Sequence, residues 1–250
     1  MLCPKCAGSA ASARRKGGAT RFFRVSGASR PVVTYVLIAI SVLVYLLQLI
    51  PGLNVTSALL YSPYYSLGEY AAVGAPYEPW RMITAMFAHS PTSFLHILFN
   101  MFTLWMFGQV LESMLGRARF ITLYMIAGVA GSLGVMYFDL ALGLQFSSVV
   151  GASGAIFGLM GAYLVILRHL GSNSAGLLIL VGINVVIGFL PGSNLSWQAH
   201  VGGLIGGVIV GLIFTRTRSR EKMRLQRYLI GGLILVELVA AFAHAPIFVG

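Results

Sequence analysis

Four polar side chains interrupt otherwise apolar stretches of this chain, and their types suit acyl-transfer chemistry. Ser153 lies in "GASGAIFG", His200 in "QAHVGGLIGG", and His96 and Asn100 in "HILFN". A serine hydroxyl is a weak nucleophile until a neighbouring base takes its proton. Neutral imidazole suits that task near pH 7. His96 and Asn100 are four residues apart, so a helix puts them on one face, one turn above the other. Together with the backbone N–H of Ser153 they can donate hydrogen bonds to a tetrahedral oxyanion, donors worth about 2.7–4 kcal/mol each in serine proteases. Gly151, Ala152 and Gly154 flank the serine with residues small enough to let a substrate backbone approach it. No acid is placed to complete a triad: Glu112 falls near the far end of its apolar span and Asp139 reads as loop. The expectation is therefore a Ser153–His200 dyad.

A lone histidine in an apolar span more often packs or hydrogen-bonds than catalyses, so the elements that carry these residues decide their meaning. The chain has 250 residues, 58% of them hydrophobic and 9% charged, and a mean hydropathy of +0.86. A soluble domain carries about 25% charged residues, so the surface left uncovered here would be apolar. The chain reads as an all-α polytopic membrane protein. Stretches near 20 apolar residues, enough to cross a hydrocarbon core of ~30 Å as helices, occur at 32–50, 94–114, 119–138, 150–168, 175–191, 198–215 and 228–248. The first is too long for a cleavable signal and is followed by no small-residue cleavage site.

The net charge of +11 does not indicate nucleic acid. The basic residues cluster at 5–30 and 216–227. With the N-terminus in the cytoplasm, sixteen of the seventeen Lys and Arg residues fall inside or at the inner edge, Arg81 being the exception. That is the bias that orients membrane proteins and meets anionic headgroups. Residues 52–93 form a long outer loop rich in Tyr, Phe, Trp and Pro, expected to lie as a hairpin partly in the outer leaflet. Cys3 and Cys6 form a single "CPKC", two of the four ligands a structural zinc needs. It is read as non-functional, so neither a metal nor a cofactor is expected.

In this orientation the spans beginning near 94, 150 and 198 all run from outside to inside. His96, Ser153 and His200 each fall within the first few residues of a span, and at ~1.5 Å rise per residue they share one outer layer, with Asn100 a turn deeper. The span with Ser153 also carries Gly154, Gly158 and Gly161, and that with His200 carries Gly203, Gly207 and Gly211. Small residues at four-residue spacing let membrane helices approach closely, which would bring Ser153 and His200 within hydrogen-bond reach.

These motifs together resemble the rhomboid family of intramembrane serine proteases. "GASGAIFG" resembles its GxSG, "HILFN" its HxxxN, "AHVGGLIGG" its AHxxG, and "PWRMITAMFAH" the Trp–Arg element of its first loop, in the family's order over about residues 31–215. The resemblance implies six helices around a water-filled cavity open to the outside, with one further helix at the C-terminus. It implies Ser153 as nucleophile, His200 as general base, and His96, Asn100 and the Ser153 amide at the oxyanion, with Gly151 and Phe157 in the same oxyanion and substrate-binding group. Phe157 matches the aromatic that stacks on the catalytic histidine, often tyrosine in the family. Trp80 and Arg81 would stabilise the first loop, and Glu112 would cap or brace loop structure at the inner side. The loop 192–197 would cap the site, and the fifth span would be the lateral gate.

The expected organisation is a basic cytoplasmic segment over 1–30, a protease core over 31–215, and a basic linker with a seventh helix over 216–250. The expected partners are transmembrane protein substrates and the lipid bilayer, in a plasma membrane crossed several times with the site facing out. Two other readings stay open: a non-proteolytic relative that binds client helices, and a transporter or channel. The presence of both nucleophile and base argues against the first. The lack of an internal repeat, and of an acid at mid-membrane in the core spans, argues against the second.

Overall fold

A computed structural model describes residues 30–69, 74, 76–188 and 195–244. Its main elements are α1 (Val32–Gln48), α2 (Val55–Leu59), α3 (Arg81–Thr84), α4 (Phe94–Leu115), α5 (Arg117–Leu142), α6 (Ser153–His169), α7 (Ala175–Gly188), α8 (Trp197–Arg216) and α9 (Met223–Phe242). Four helical stretches are long and apolar enough to cross a membrane: α4, α5, α8, and α9 with the 3₁₀ turn before it. The helices α1, α6 and α7 are apolar but shorter. The protein is a multi-pass membrane protein.

The centre of the bundle is α5, α6 and α8, held together by glycine. A methyl added at Gly207 would overlap the Gly158 carbonyl, and one at Gly203 would stand 2.7 Å from the Gly154 carbonyl carbon. On the other side of α8, a Cβ at Gly134 would lie 2.6 Å from the Gln198 carbonyl oxygen. Close backbone contact of this kind replaces the hydrophobic driving force that lipid does not supply. The core beneath it holds fully buried Leu104, Leu111, Phe120, Leu123, Tyr124 and Leu159.

The first helix is fastened by a buried acid. Glu112 of α4 accepts from the Val33 and Thr34 backbone N–H groups (3.0 and 2.8 Å) and from Thr34 Oγ1 (2.8 Å). It thus satisfies orphan amides at the start of α1. Glu112, expected to cap or brace loop structure, caps the start of helix α1 instead.

Several expected boundaries move for physical reasons. The third span was expected at 119–138, but α5 runs from Arg117 to Leu142, so Asp139 lies inside a helix and not in a loop. The span expected from 150 begins at Ser153, because Gly151 takes φ +125°, which no helix accommodates. The last helix starts five residues earlier than expected, at Met223, since Arg224 and Arg227 are good helix formers. The described residues of 52–93, expected as a hairpin, form short helical turns instead. They contain α2, α3 and a 3₁₀ turn at Pro63–Tyr65, and they pack Tyr61, Leu67, Met82 and Ala85 against Leu133 and Met136 of α5 and Ala241 of α9. Arg81 holds this segment. It pairs with Glu78, donates through Nη1 to the Ser57 carbonyl (2.6 Å), and lies over the Tyr65 ring at 4.2 Å. Trp80 is 55% exposed and does not anchor the segment from within. Cys3, Cys6 and residues 192–194, half of the loop expected as a cap over the site, lie outside the described residues.

Candidate active site

Ser153 is the first residue of α6, His200 the fourth of α8, and His96 the third of α4. The close α6–α8 contact brings the first two together: Ser153 Oγ lies 3.1 Å from His200 Nε2. The Phe157 ring, one turn into α6, stacks on the His200 imidazole with centroids 4.1 Å apart and planes 9° from parallel. His200 is 3% exposed. Its Nδ1 has no hydrogen-bond partner among the described residues, so no acid there orients the ring. The stack and the glycine contact do so instead.

Across the site, His96 Nδ1 accepts from the Ser90 backbone N–H at 3.2 Å. A neutral His96 then carries its proton on Nε2. That nitrogen faces Gly151, where an added Cβ would stand 2.9 Å away. Gly151 is thus required twice, by its positive φ and by the imidazole beside it. Asn100 Nδ2 donates to the His96 carbonyl at 2.8 Å, which leaves its second N–H available. The first intrahelical bond of α6 runs from Ile156 N to Ala152 O (3.0 Å), so the earlier amides, Ser153 N–H included, lie ahead of the helical ladder. All these groups line one cavity of about 1000 Å³, which extends past Met160 of α6 and Asn184 of α7. Ser153 is partly exposed to it.

Two residues near the site escaped the sequence reading. Asp139, fully buried near the C-terminal end of α5, accepts from Gln198 Nε2 (3.0 Å) and from the Ser147 backbone N–H (3.1 Å). It ties the segment leading to Ser153 to the first turn of α8, two residues before His200. His89, in the loop before α4, is fully buried with its ring 5.4 Å from that of His96. Burial, and secondarily His96, holds His89 well below its ordinary range, at about 4, so it stands neutral beside His96. Among the described residues no group of three or more His, Cys, Asp or Glu side chains is arranged to hold a metal.

Residues 76–217 match the Rhomboid domain family. The chain belongs to the rhomboid family. The rhomboid protease GluP of Bacillus subtilis is 30% identical over 223 residues, covering 86% of this chain and 40% of GluP. The YdcA protein of the same bacterium is 34% identical over 196 residues, covering 76% of this chain and 92% of YdcA. The mitochondrial RHOMBOID-like protein 6 of Arabidopsis thaliana is 39% identical over 146 residues, 54% of this rhomboid chain and 44% of the plant protein. The rhomboid chain thus spans less than half the length of GluP and nearly all of YdcA.

Proposed function

We propose that this rhomboid protein is an intramembrane serine endopeptidase that cleaves transmembrane or juxtamembrane segments of other membrane proteins. The observation that carries the reading is the 3.1 Å approach of Ser153 Oγ to His200 Nε2 at the wall of a large cavity. In the reaction, Ser153 Oγ attacks the scissile carbonyl carbon while its proton passes to His200 Nε2. The oxyanion accepts from His96 Nε2–H, from the free N–H of Asn100 and from the Ser153 amide, at the positive end of the α6 dipole. His200 then returns the proton to the leaving amine as the C–N bond breaks, which leaves an acyl ester on Ser153. Water, deprotonated by the same imidazole, attacks the ester and releases the new carboxyl end and the serine.

A helical substrate hides its carbonyls in internal hydrogen bonds, so a cleaved segment must unwind locally. Substrates with small or helix-breaking residues near the cut follow from that requirement. The same reading puts a six-helix core over 31–215, α9 appended as a seventh crossing, the basic N-terminus in the cytoplasm and the cavity facing outward, with no cofactor. The test is cleavage of a transmembrane substrate by the protein in proteoliposomes. Ser153→Ala and His200→Ala should each abolish the product while leaving the fold intact. A wild-type protein that retains the substrate helix without cutting it would favour the client-binding reading.

A further inference from the structure

The end of the bundle remote from Ser153 carries a groove that the proteolytic reading does not use. The helices α4 and α5 are joined by the single residue Gly116, at φ +81°. That tight turn sets Arg117 and Arg119 beside the start of α9. The resulting cavity, about 470 Å³, is lined by Arg117, Arg119, Arg227, Phe214, Gln226 and Ile230 among others, and by no aspartate or glutamate. With a rise of ~1.5 Å per residue, the 22 residues of α4 separate this groove from the His96 level by the thickness of a hydrocarbon core. It therefore lies at the opposite membrane interface.

The arginines differ in how they are held. The Arg119 guanidinium is fixed in place: Nε donates to Gln226 Oε1 at 2.9 Å, Nη2 contacts Met223 Sδ at 3.1 Å, and its carbon lies 5.9 Å from the Phe214 ring centre. Gln226 is itself buried and donates to Thr217 Oγ1 at 2.8 Å. The ordering cost that an arginine fork brings to an anion is thus met before any ligand arrives. Arg117 and Arg227 are exposed at the rim and make no ion pair among the described residues. Beneath the charges the lining turns apolar, with Leu115, Phe214 and Ile230. It runs on toward α9, whose Leu229, Ile234 and Leu238 are exposed. A cationic rim over an apolar floor at a membrane interface matches an anion that carries a hydrocarbon tail.

We propose that this groove is a binding site for one anionic glycerophospholipid. The phosphate sits among Arg117, Arg119 and Arg227, and an acyl chain lies along Ile230 and the outer face of α9. Arginine's planar donors suit phosphate oxygens in pairs. A free phosphate shares the charge but would leave the apolar floor unused, so the lipid is the committed occupant. The bound lipid would also bridge α5 and α9.

The test uses the full chain in zwitterionic detergent. Native mass spectrometry would count retained lipid, and thermal unfolding would be followed as lipid is added. Added phosphatidylglycerol should be retained as one molecule and should raise the unfolding temperature. Phosphatidylcholine and soluble glycerol phosphate at equal concentration should do neither. The double variant Arg117→Gln/Arg227→Gln, which spares the packed Arg119, should weaken phosphatidylglycerol retention by roughly tenfold or more, with labelling of Ser153 by a serine-reactive probe unchanged. Adding Arg119→Gln should weaken it further. Equal retention of phosphatidylcholine, equal stabilisation by glycerol phosphate, or retention by the double variant within about twofold of wild type would each overturn the proposal.

Discussion

Gly203→Ala tests the link between packing and chemistry. In the wild-type protein the added methyl would overlap the Gly154 carbonyl and stand 2.7 Å from its carbon and 3.1 Å from Gly154 Cα. Non-bonded carbons rest at roughly 3.5–4.0 Å, so α6 and α8 must part by roughly 1 Å. Gly154 is the residue after Ser153, and Gly203 is three residues past His200, so the displacement falls at the level of the dyad. The Ser153 Oγ to His200 Nε2 separation, now 3.1 Å, would open to about 4 Å, beyond hydrogen-bond reach. A misplacement of ~1 Å can cost about 100-fold in rate, and overpacking costs about 1–3 kcal/mol of stability. The assay is kcat/KM for a fluorogenic transmembrane substrate in proteoliposomes, with thermal unfolding on the same preparations. Gly231→Ala is the control, because nothing lies within 4 Å of its added methyl. The expected result is a roughly 100-fold loss for Gly203→Ala and unchanged turnover for the control. Turnover by Gly203→Ala within about threefold of wild type would refute the claim that helix approach sets the dyad.

Substitutions at three further positions probe the supports of the site and of the fold. Asp139→Ala orphans Gln198 Nε2 and the Ser147 amide and should cost about 1–3 kcal/mol, with kcat falling more than KM rises; an unchanged kcat would remove Asp139 from the positioning of His200. Phe157→Ala removes the stacked partner of His200, worth about 0.5–1.5 kcal/mol, so kcat/KM should fall by roughly 2- to 12-fold, while Phe157→Tyr should keep most activity. Glu112→Gln weakens three hydrogen bonds that seat α1; unfolding should come about 1–3 kcal/mol sooner, with little change in kcat where the protein is folded.

What the sequence disclosed follows from which forces are local. Runs of apolar residues located α4 and α8 to within a residue or two, because hydropathy alone fixes a crossing. The glycines at four-residue spacing forecast which helices touch, since a missing side chain is visible in the letters. Asp139 was misread because the groups that satisfy it, Gln198 and Ser147, sit in other elements. Nothing near an acid in the chain tells whether it is paired. His89 was passed over for a similar reason: its burial comes from the fold of the 85–93 segment and not from its place in any apolar run. The fastening of residues 61–85 against α5 and α9 was equally illegible, for it joins segments some 50 to 180 residues apart.

The central claim is that Ser153 is activated by His200, and active-site labelling with a fluorophosphonate probe tests it most directly. Intact-mass analysis of the membrane-reconstituted protein should show one adduct, mapped to Ser153, absent in Ser153→Ala and strongly slowed in His200→Ala. An adduct on another residue, none on the wild type, or labelling of His200→Ala at the wild-type rate would contradict the account.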